Sequence, residues 1–230
     1  MGVALRVVSY NVHGLKDDPA ALVETVTGLA PDVVVLQEAP RRLRWRTRCA
    51  RLADSWGMVH AAGGLPSLGN VIFTSLRVRV LRTWSIQYPL TPGRHLRGAV
   101  FARCLVGRTP VVVVGTHLSL DATERTGQAQ LLKKALADLD APVVLAADLN
   151  ETSGGGAWRT LADDLVDAGA EENVATFPAQ APKRRIDAIL SDSRIGVAGC
   201  LVVGTGTARQ ASDHLPVVAD LVLPDPVASL

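Results

Sequence analysis

Short runs of β-branched and other apolar residues constrain the fold of this chain more than any other feature. Apolar runs at 33–36, 111–114 and 143–145 are typical, and many such runs are bounded by Gly, Pro, Asp or Asn. Runs of this length and composition predict buried strands rather than helices. The chain is therefore expected to contain many short strands.

Helical periodicity interrupts these strands in four places. Apolar residues recur on one helical face over about 19–29, 40–53, 122–139 and 156–166. Many strands with a few interspersed helices are typical of layered α/β packing. We predict one α/β domain over residues 1–230, a length sufficient for a full core.

Composition predicts a globular chain without a membrane span. The mean hydropathy is +0.22, and no apolar run reaches the roughly 18 residues that a membrane helix needs. The N-terminal stretch reads as a strand rather than a secretory signal. Cys49, Cys104 and Cys200 are odd in number and far apart, which favours reduced thiols in the cytoplasm over a disulfide framework or a zinc site.

Polar residues stand at or near one end of six apolar runs. They occupy 9–14 (Ser-Tyr-Asn-Val-His-Gly), 37–38 (Gln-Glu), 116–119 (Thr-His-Leu-Ser), 148–150 (Asp-Leu-Asn), 185–187 (Arg-Ile-Asp) and 212–214 (Ser-Asp-His). A single residue of this kind usually caps a turn. Six such segments with compatible chemistry indicate one shared site, because loops at strand ends converge in layered α/β folds.

Two of these segments carry the clearest chemical signal. Asp187 lies in an apolar strand, where a charge is costly unless it is paired or bound to a metal. Asp213 and His214 place a carboxylate beside an imidazole, which suits metal-assisted hydrolysis: the carboxylate holds a cation and the imidazole takes a proton from water. Taken alone, the segment 212–214 is equally typical of a polar turn.

The ordered segments resemble those of the endonuclease/exonuclease/phosphatase superfamily, which includes deoxyribonuclease I, abasic-site endonucleases, neutral sphingomyelinases and inositol-phosphate 5-phosphatases. The resemblance extends over residues 5–222 and is carried by Asn11, Glu38, His117, Asp148, Asn150, Asp187, Asp213 and His214. It implies an α/β four-layer sandwich of two packed mixed β-sheets flanked by helices. It also implies divalent-metal-dependent hydrolysis of phosphoester bonds at the sheet ends.

The resemblance implies a metal site built from carboxylates. Glu38 is the expected ligand of Mg²⁺, which takes carboxylate and water oxygens, and Mn²⁺ is expected to substitute. Asn11 and Asp213 are expected to lie near that metal. His13 stands where some relatives carry an Asp ligand, and it either ligates the metal or fills space.

The resemblance assigns the other strand-end residues to the reaction itself. His214 is expected to act as the general base or to polarise the phosphate, with Asp187 fixing its tautomer. Asp148 is expected to position or deprotonate the attacking water, and Asn150 to donate a hydrogen bond to a phosphoryl oxygen. His117 is expected to stabilise the pentavalent phosphorus or to assist the leaving group.

Three further residues are expected to contact phosphate or substrate, namely Asn70, Arg97 and Arg185. Asn70 belongs to a Gly-Asn pair that opens a strand, and Arg97 begins an Arg-Gly segment, as in the family. One departure concerns His117. In some relatives an acid pairs with the matching residue, whereas 88–97 contains neither Asp nor Glu.

The basic residues bear on the substrate class. Six arginines lie between 41 and 51 with Trp45 among them. Arginine forks and an aromatic ring suit phosphate binding and base stacking, but such a cluster is also typical of a solvated helix face. We predict a phosphodiesterase or nuclease acting on nucleic acid.

Two other functions and the oligomeric state stay open at this stage. One alternative is a phosphatase or phosphodiesterase for a small or lipid-like phosphoester, such as an inositol phosphate or a sphingomyelin-type lipid. The other is a catalytically silent binding module of the same fold. The intact set of acids and His214 argues against silence, because a binding module has no need of a buried Asp187.

Overall fold

The computed structural model describes residues 2–225 and consists of two six-stranded sheets with five α-helices. In chain order the elements are β1 (Val3–Asn11), a short 3-10 helix (His13–Leu15), α1 (Pro19–Leu29), β2 (Val33–Gln37), α2 (Trp45–Ser55), β3 (Val59–Gly63), β4 (Val71–Thr74), β5 (Val78–Gln87), β6 (Gly98–Val106), β7 (Thr109–His117), α3 (Ala122–Ala137), β8 (Val143–Asp148), α4 (Gly156–Ala162), β9 (Val166–Asp167), β10 (Asp187–Ser191), β11 (Gly196–Val202), α5 (Gly206–Ala211) and β12 (Val217–Leu223).

Both sheets are mixed and have matching topology. The first has the order β11-β12-β1-β2-β4-β3, and the second has the order β5-β6-β7-β8-β10-β9. The central pairs β1–β2 and β7–β8 are parallel, and their neighbours are antiparallel. The carboxyl ends of the four parallel strands therefore lie at one end of their sheets.

Three apolar clusters separate four layers. Val35, Val113 and Ile189 belong to the cluster between the sheets. A second cluster packs α3 and α4 on the outer face of the second sheet, and a third packs α1 and α2 on the first sheet. The predicted four-layer α/β sandwich is confirmed.

Strand β7 shows why the apolar runs are continuous. Val111 and Val113 point into the cluster between the sheets, whereas Val112 and Val114 point to the helices. Because both faces of this strand are buried, every position from Val111 to Val114 is apolar and the usual alternation is missing there. Gly115 follows on the inner face, where an added Cβ would lie 2.5 Å from Val35 Cγ1, so a larger residue would push the sheets apart beside the site.

A capping side chain and the local backbone conformation determine where the first two helices begin. Helix α1 begins as predicted, because Asp18 Oδ1 accepts hydrogen bonds from Ala20 N and Ala21 N. Helix α2 begins only at Trp45, since Arg44 adopts a left-handed φ of 60°. Arg41 and Arg42 therefore lie in a loop before the helix and not on its face.

The apolar β-branched runs in the sequence do not indicate two of the strands. Strand β6 (Gly98–Val106) contains Arg103, and less apolar residues alternate with apolar ones along it. Strand β3 (Val59–Gly63) is short and consists largely of Ala and Gly. Neither is an apolar β-branched run, although both pair with a neighbouring strand, and each pairing contains one register shift. Within residues 2–225, no helix combines the length and apolarity needed to cross a membrane.

Candidate active site

Three strands deliver polar side chains to the same end of the sandwich. Asn11 ends β1 in the first sheet, while His117 and Asp148 end the paired strands β7 and β8 in the second. Asn11 Nδ2 donates a hydrogen bond to Asp148 Oδ2 at 2.8 Å, and this contact joins the two sheets. The structure thus brings these three predicted site residues together.

Asp187 and His214 belong to the same cluster. Asp187 begins β10 directly opposite Asp148 in the antiparallel register, and both residues are 1% exposed. His214 Nδ1 lies 3.1 and 2.9 Å from the two carboxylate oxygens of Asp187. The contact orients the ring so that Nε2 faces Asp148 Oδ2 at 3.9 Å.

The surrounding carboxylates decide the charge of His214. Burial alone would lower its pKa, but the attraction of Asp187, Asp148 and Asp213 outweighs burial and raises the pKa to about 9. His214 is therefore charged at neutral pH in the metal-free protein. This interaction stabilises the fold fully below about pH 6.5, the ordinary histidine pKa, and is lost as the pH rises through about 9.

Both oxygens of the Asp148 carboxylate accept hydrogen bonds. Its Oδ2 accepts from Asn11 Nδ2 and lies 3.2 Å from His117 Nε2, while its Oδ1 accepts from Asn150 N at 3.0 Å. Asn150 Nδ2 also donates to Leu118 O at 3.0 Å. These contacts hold the Asp148 carboxylate in one orientation.

His117 has a cationic partner where some relatives of the family carry an acid. Its Nδ1 lies 2.9 Å from Arg97 Nη1. Burial lowers the pKa of His117 to about 3; Asp148 opposes this shift and Arg97 reinforces it. His117 is therefore neutral at physiological pH in the metal-free protein.

Glu38 and Asp213 are the predicted metal ligands with solvent-facing carboxylates. Their side chains are 36% and 39% exposed, respectively. Glu38 Oε1 lies 4.0 Å from His117 Nδ1, and Asp213 Oδ1 lies 3.8 Å from His13 Nδ1. Partly exposed carboxylate oxygens that leave room for water fit a hard cation such as Mg²⁺. Asn11 Oδ1 accepts from His13 N and keeps a second lone pair for a ligand.

His13 is engaged by a carboxylate that the sequence did not single out. Its Nδ1 lies 2.8 Å from Asp17 Oδ2, so only its Nε2 is available to a metal.

A second group of potential ligands consists of Asp148, Asp187 and His214. Their ligand atoms lie within 4.8 Å of one another, and all three residues are buried. These atoms already make hydrogen bonds to protein groups. This buried group and the exposed carboxylates of Glu38 and Asp213 are thus two possible positions for a cation.

Asn70 and Arg185 make contacts other than the predicted ones to phosphate. Asn70 Nδ2 donates to Ser67 O at 2.8 Å and Gly98 O at 3.0 Å, which ties its loop to β6 beside Arg97. Arg185 forms a bidentate pair with Asp167 at 3.0 and 2.6 Å. Both side chains therefore tie loops to neighbouring elements, and their contact with phosphate stays a prediction.

Sequence reasoning missed two residues that support the Asp187–His214 pair. Thr176 Oγ1 donates to Asp187 Oδ2 at 2.5 Å, and the Phe177 ring packs 4.7 Å from the His214 ring. The only sequence signal is a Thr-Phe dipeptide that precedes the Arg-Ile-Asp segment. Nothing in that dipeptide indicates which strand end it contacts.

A buried ion pair fixes the loops that follow β7 and β8. Arg125 Nε donates to Glu151 Oε2 at 3.0 Å, and Arg125 Nη1 donates to Ser119 O and Leu120 O at 2.8 and 3.0 Å. One guanidinium thus joins the loop after His117 to the loop that holds Asn150.

Backbone strain marks the same region. His13, Glu38 and Asn150 adopt positive φ values of 46°, 53° and 54°. This conformation is uncommon for residues other than glycine and concentrates at functional sites. The three strained residues all lie directly after or near the ends of β1, β2 and β8.

A basic cleft opens beside Glu38. It has a volume of about 440 Å³ and is lined by Gly14, Lys16, Glu38, Ala39, Pro40, Arg41, Arg42, Arg48, Leu68, His95 and Arg97. Five of these side chains are Lys or Arg, and one is a carboxylate. An anionic substrate that extends beyond the catalytic cluster would find complementary charge here.

The His214 pKa provides a direct test of this geometry. We expect Asp187→Asn to lower the pKa of His214 from about 9 toward the ordinary value of about 6.5, because the nearest negative charge is removed. The pKa is measured by NMR titration of the metal-free protein. Asp140→Asn, a change at an exposed carboxylate that pairs with Arg103, serves as the control. An unchanged His214 pKa in Asp187→Asn would contradict the contact.

Comparison with known proteins identifies the family. The model of the Endonuclease/Exonuclease/phosphatase family matches residues 8–214. No curated protein matches the chain significantly.

Solved structures share the fold at low sequence identity. A mannosyl-6-phosphatase from Bacteroides thetaiotaomicron has a TM-score of 0.78 at 16% identity, covering 95% of this chain and 100% of its own. TDP2 from D. rerio, complexed with single strand DNA product, has a TM-score of 0.73 at 20% identity, covering 95% of this chain and 98% of its own. An endonuclease/exonuclease/phosphatase from Beutenbergia cavernae has a TM-score of 0.72 at 24% identity, covering 98% and 73%.

The family match spans nearly all strand-end residues described above, from the end of β1 to His214. The chain belongs to the endonuclease/exonuclease/phosphatase family, whose members are phosphoester hydrolases that depend on a divalent metal.

Proposed function

We propose that this protein is a Mg²⁺-dependent phosphodiesterase that cleaves nucleic acid. The observation that carries the proposal is the basic cleft beside Glu38, in which Lys16, Arg42 and Arg48 lie beyond the strand-end cluster. A phosphomonoester needs contacts at one phosphate only. A polyanion places further phosphates along such a cleft and gains affinity from each one.

Glu38 and Asp213 hold the metal in this proposal, with Asn11 as a neighbouring oxygen ligand. Carboxylate oxygens suit Mg²⁺, and Mn²⁺ substitutes because it accepts the same ligands. When bound, the metal polarises the phosphoryl oxygen and offsets its negative charge. His13 Nδ1 lies between two carboxylates, 2.8 Å from Asp17 Oδ2 and 3.8 Å from Asp213 Oδ1.

His214 stabilises the phosphoryl group. Asp187 holds its Nδ1 and leaves Nε2 facing the site, and in the metal-free protein the raised pKa of about 9 keeps the ring charged at neutral pH. A charged ring donates a hydrogen bond to a phosphoryl oxygen and offsets the charge that develops there. Of the two roles open for His214, phosphate polarisation is thus the one proposed.

Asp148 positions the attacking water and takes its proton. Its oxygens are held by Asn11 Nδ2 and Asn150 N, so the remaining lone pairs keep a constant direction. Asn150 Nδ2 donates one hydrogen to Leu118 O and lies 2.9 Å from His117 Nε2, so its other hydrogen reaches a phosphoryl oxygen only when it is not bonded to His117.

The solved relatives show what this fold accommodates. One is a mannosyl-6-phosphatase and another was crystallised with a single strand DNA product. The alternative of a small phosphoester substrate therefore stays within the range of the fold, and the basic cleft favours nucleic acid. The proposal also takes residues 1–230 as one domain that works in the cytoplasm, as the sequence predicts.

The first test is hydrolysis of a generic phosphodiester and a generic phosphomonoester in parallel, with Mg²⁺, Mn²⁺ or EDTA. We expect diester cleavage with either metal and none in EDTA, because the metal is required to offset charge on the phosphoryl group. His214→Ala is expected to lower the rate by about 10²–10³-fold, the usual loss for one charge-stabilising donor. Cleavage of the monoester alone would contradict the diester assignment.

The role of the basic cleft in nucleic-acid binding is tested by removing two positive charges from it and, as a control, from another surface. We expect Arg42→Gln/Arg48→Gln to weaken nucleic-acid binding uniformly across sequences and to reduce the salt dependence of binding by about two phosphate contacts. The control is Arg79→Gln/Arg108→Gln, which removes the same charge from exposed positions near the opposite end of β7. Both proteins are compared in a salt titration of binding to a DNA oligonucleotide. Equal salt slopes for the two double variants would mean that Arg42 and Arg48 are solvated surface residues that do not contact nucleic acid.

A further inference from the structure

His117 lies between two hydrogen-bond donors. Arg97 Nη1 faces its Nδ1 at 2.9 Å, and Asn150 Nδ2 faces its Nε2 at 2.9 Å. A guanidinium only donates, and the Asn150 amide is oriented with its nitrogen inward because it donates to Leu118 O. A neutral imidazole has a single lone pair, so it accepts from only one of the two.

Charge and the position of Asp148 decide between the two donors. A hydrogen bond from a guanidinium is charge-assisted and stronger than one from a neutral amide. In addition, His117 Nε2 lies 3.2 Å from Asp148 Oδ2, where a proton on Nε2 is attracted to the carboxylate and a bare nitrogen lone pair is repelled by it. The tautomer with the proton on Nε2 satisfies Arg97 and Asp148 together, whereas the other directs an N–H group at the guanidinium.

We propose that Arg97 is a positioning residue that holds His117 in the neutral Nε2–H tautomer, and that His117 in turn orients Asp148 instead of protonating the leaving group. The catalytic part of this inference rests on the proposed function. The tautomer is a property of the protein alone.

The proposed tautomer of His117 determines which groups give and accept protons in the reaction. Asp148 Oδ2 receives a hydrogen bond from Asn11 Nδ2 and lies 3.2 Å from His117 Nε2, and these two contacts flank the oxygen that faces His214. The proton on Nε2 stays on His117 during turnover. The leaving oxygen takes its proton from solvent water, and the proton of the attacking water goes to Asp148.

The test is a long-range ¹H–¹⁵N NMR spectrum of the metal-free, ¹⁵N-histidine-labelled protein at neutral pH. The chain has five histidines, and the His117 signals are assigned by their loss in His117→Asn. We expect a neutral ring with the proton on Nε2 in the wild type and in Arg97→Lys, which keeps a cationic donor. Arg97→Met removes the donor, and we expect a substantial population of the Nδ1–H tautomer to appear.

Arg94→Met is the matched control, since Arg94 lies in the same loop and pairs with Asp121 instead of His117. It is expected to leave the His117 signals as in the wild type. An Nδ1–H or doubly protonated His117 in the wild type would overturn the proposal. So would a well-folded Arg97→Met protein with an unchanged tautomer.

A kinetic measurement separates orientation from proton donation. Two diesters are compared, one with a nitrophenyl leaving group and one with an aliphatic alcohol. We expect His117→Asn to lower kcat by the same factor for both, about 10–100-fold for a supporting side chain. A much larger loss for the aliphatic ester would show that His117 donates a proton. If neither diester is cleaved, the proposed function fails, while the NMR spectrum still decides the tautomer.

Discussion

Two buried carboxylates lie directly opposite each other across β8 and β10, and the active-site architecture depends on how they are compensated. Asp148 and Asp187 are each 1% exposed and form a register pair. Like charges at opposed positions of an antiparallel pair destabilise the sheet, and buried charges are costly without partners. The protein meets this constraint by surrounding each carboxylate with donors from other strand ends.

Each of the two buried carboxylates has its own set of hydrogen-bond and charge partners. Asp187 receives the charged ring of His214 and the hydroxyl of Thr176. Asp148 receives Asn11 from the opposite sheet and the backbone of Asn150. Because these partners come from both sheets, the site exists only when the sandwich is assembled. The contacts that compensate the buried charges of Asp148 and Asp187 also orient His214 and Asp148 toward a common substrate position.

The sequence predicted the fold and the membership of the central cluster, since apolar runs and the polar residues at their ends are local features. Asn11, Asp148, Asp187 and His214 were all expected at strand ends, and they lie together. The partners of His117, Asn70 and Arg185 were not predictable. Arg97 and Arg185 were both expected to contact phosphate. Only the tertiary structure shows that Arg97 also faces His117 and that Arg185 binds Asp167, 18 residues earlier.

The central claim is that the strand-end carboxylates and imidazoles form one metal-dependent hydrolytic site. Its most direct test is the rate of phosphodiester hydrolysis by Asp148→Asn in saturating Mg²⁺, with folding checked by circular dichroism. The substitution removes the charge and the proton acceptor while keeping the shape of the side chain. We expect a folded protein whose rate is lower by about 10²–10⁴-fold, the usual contribution of a positioned base. A folded Asp148→Asn protein with the wild-type rate would contradict the account.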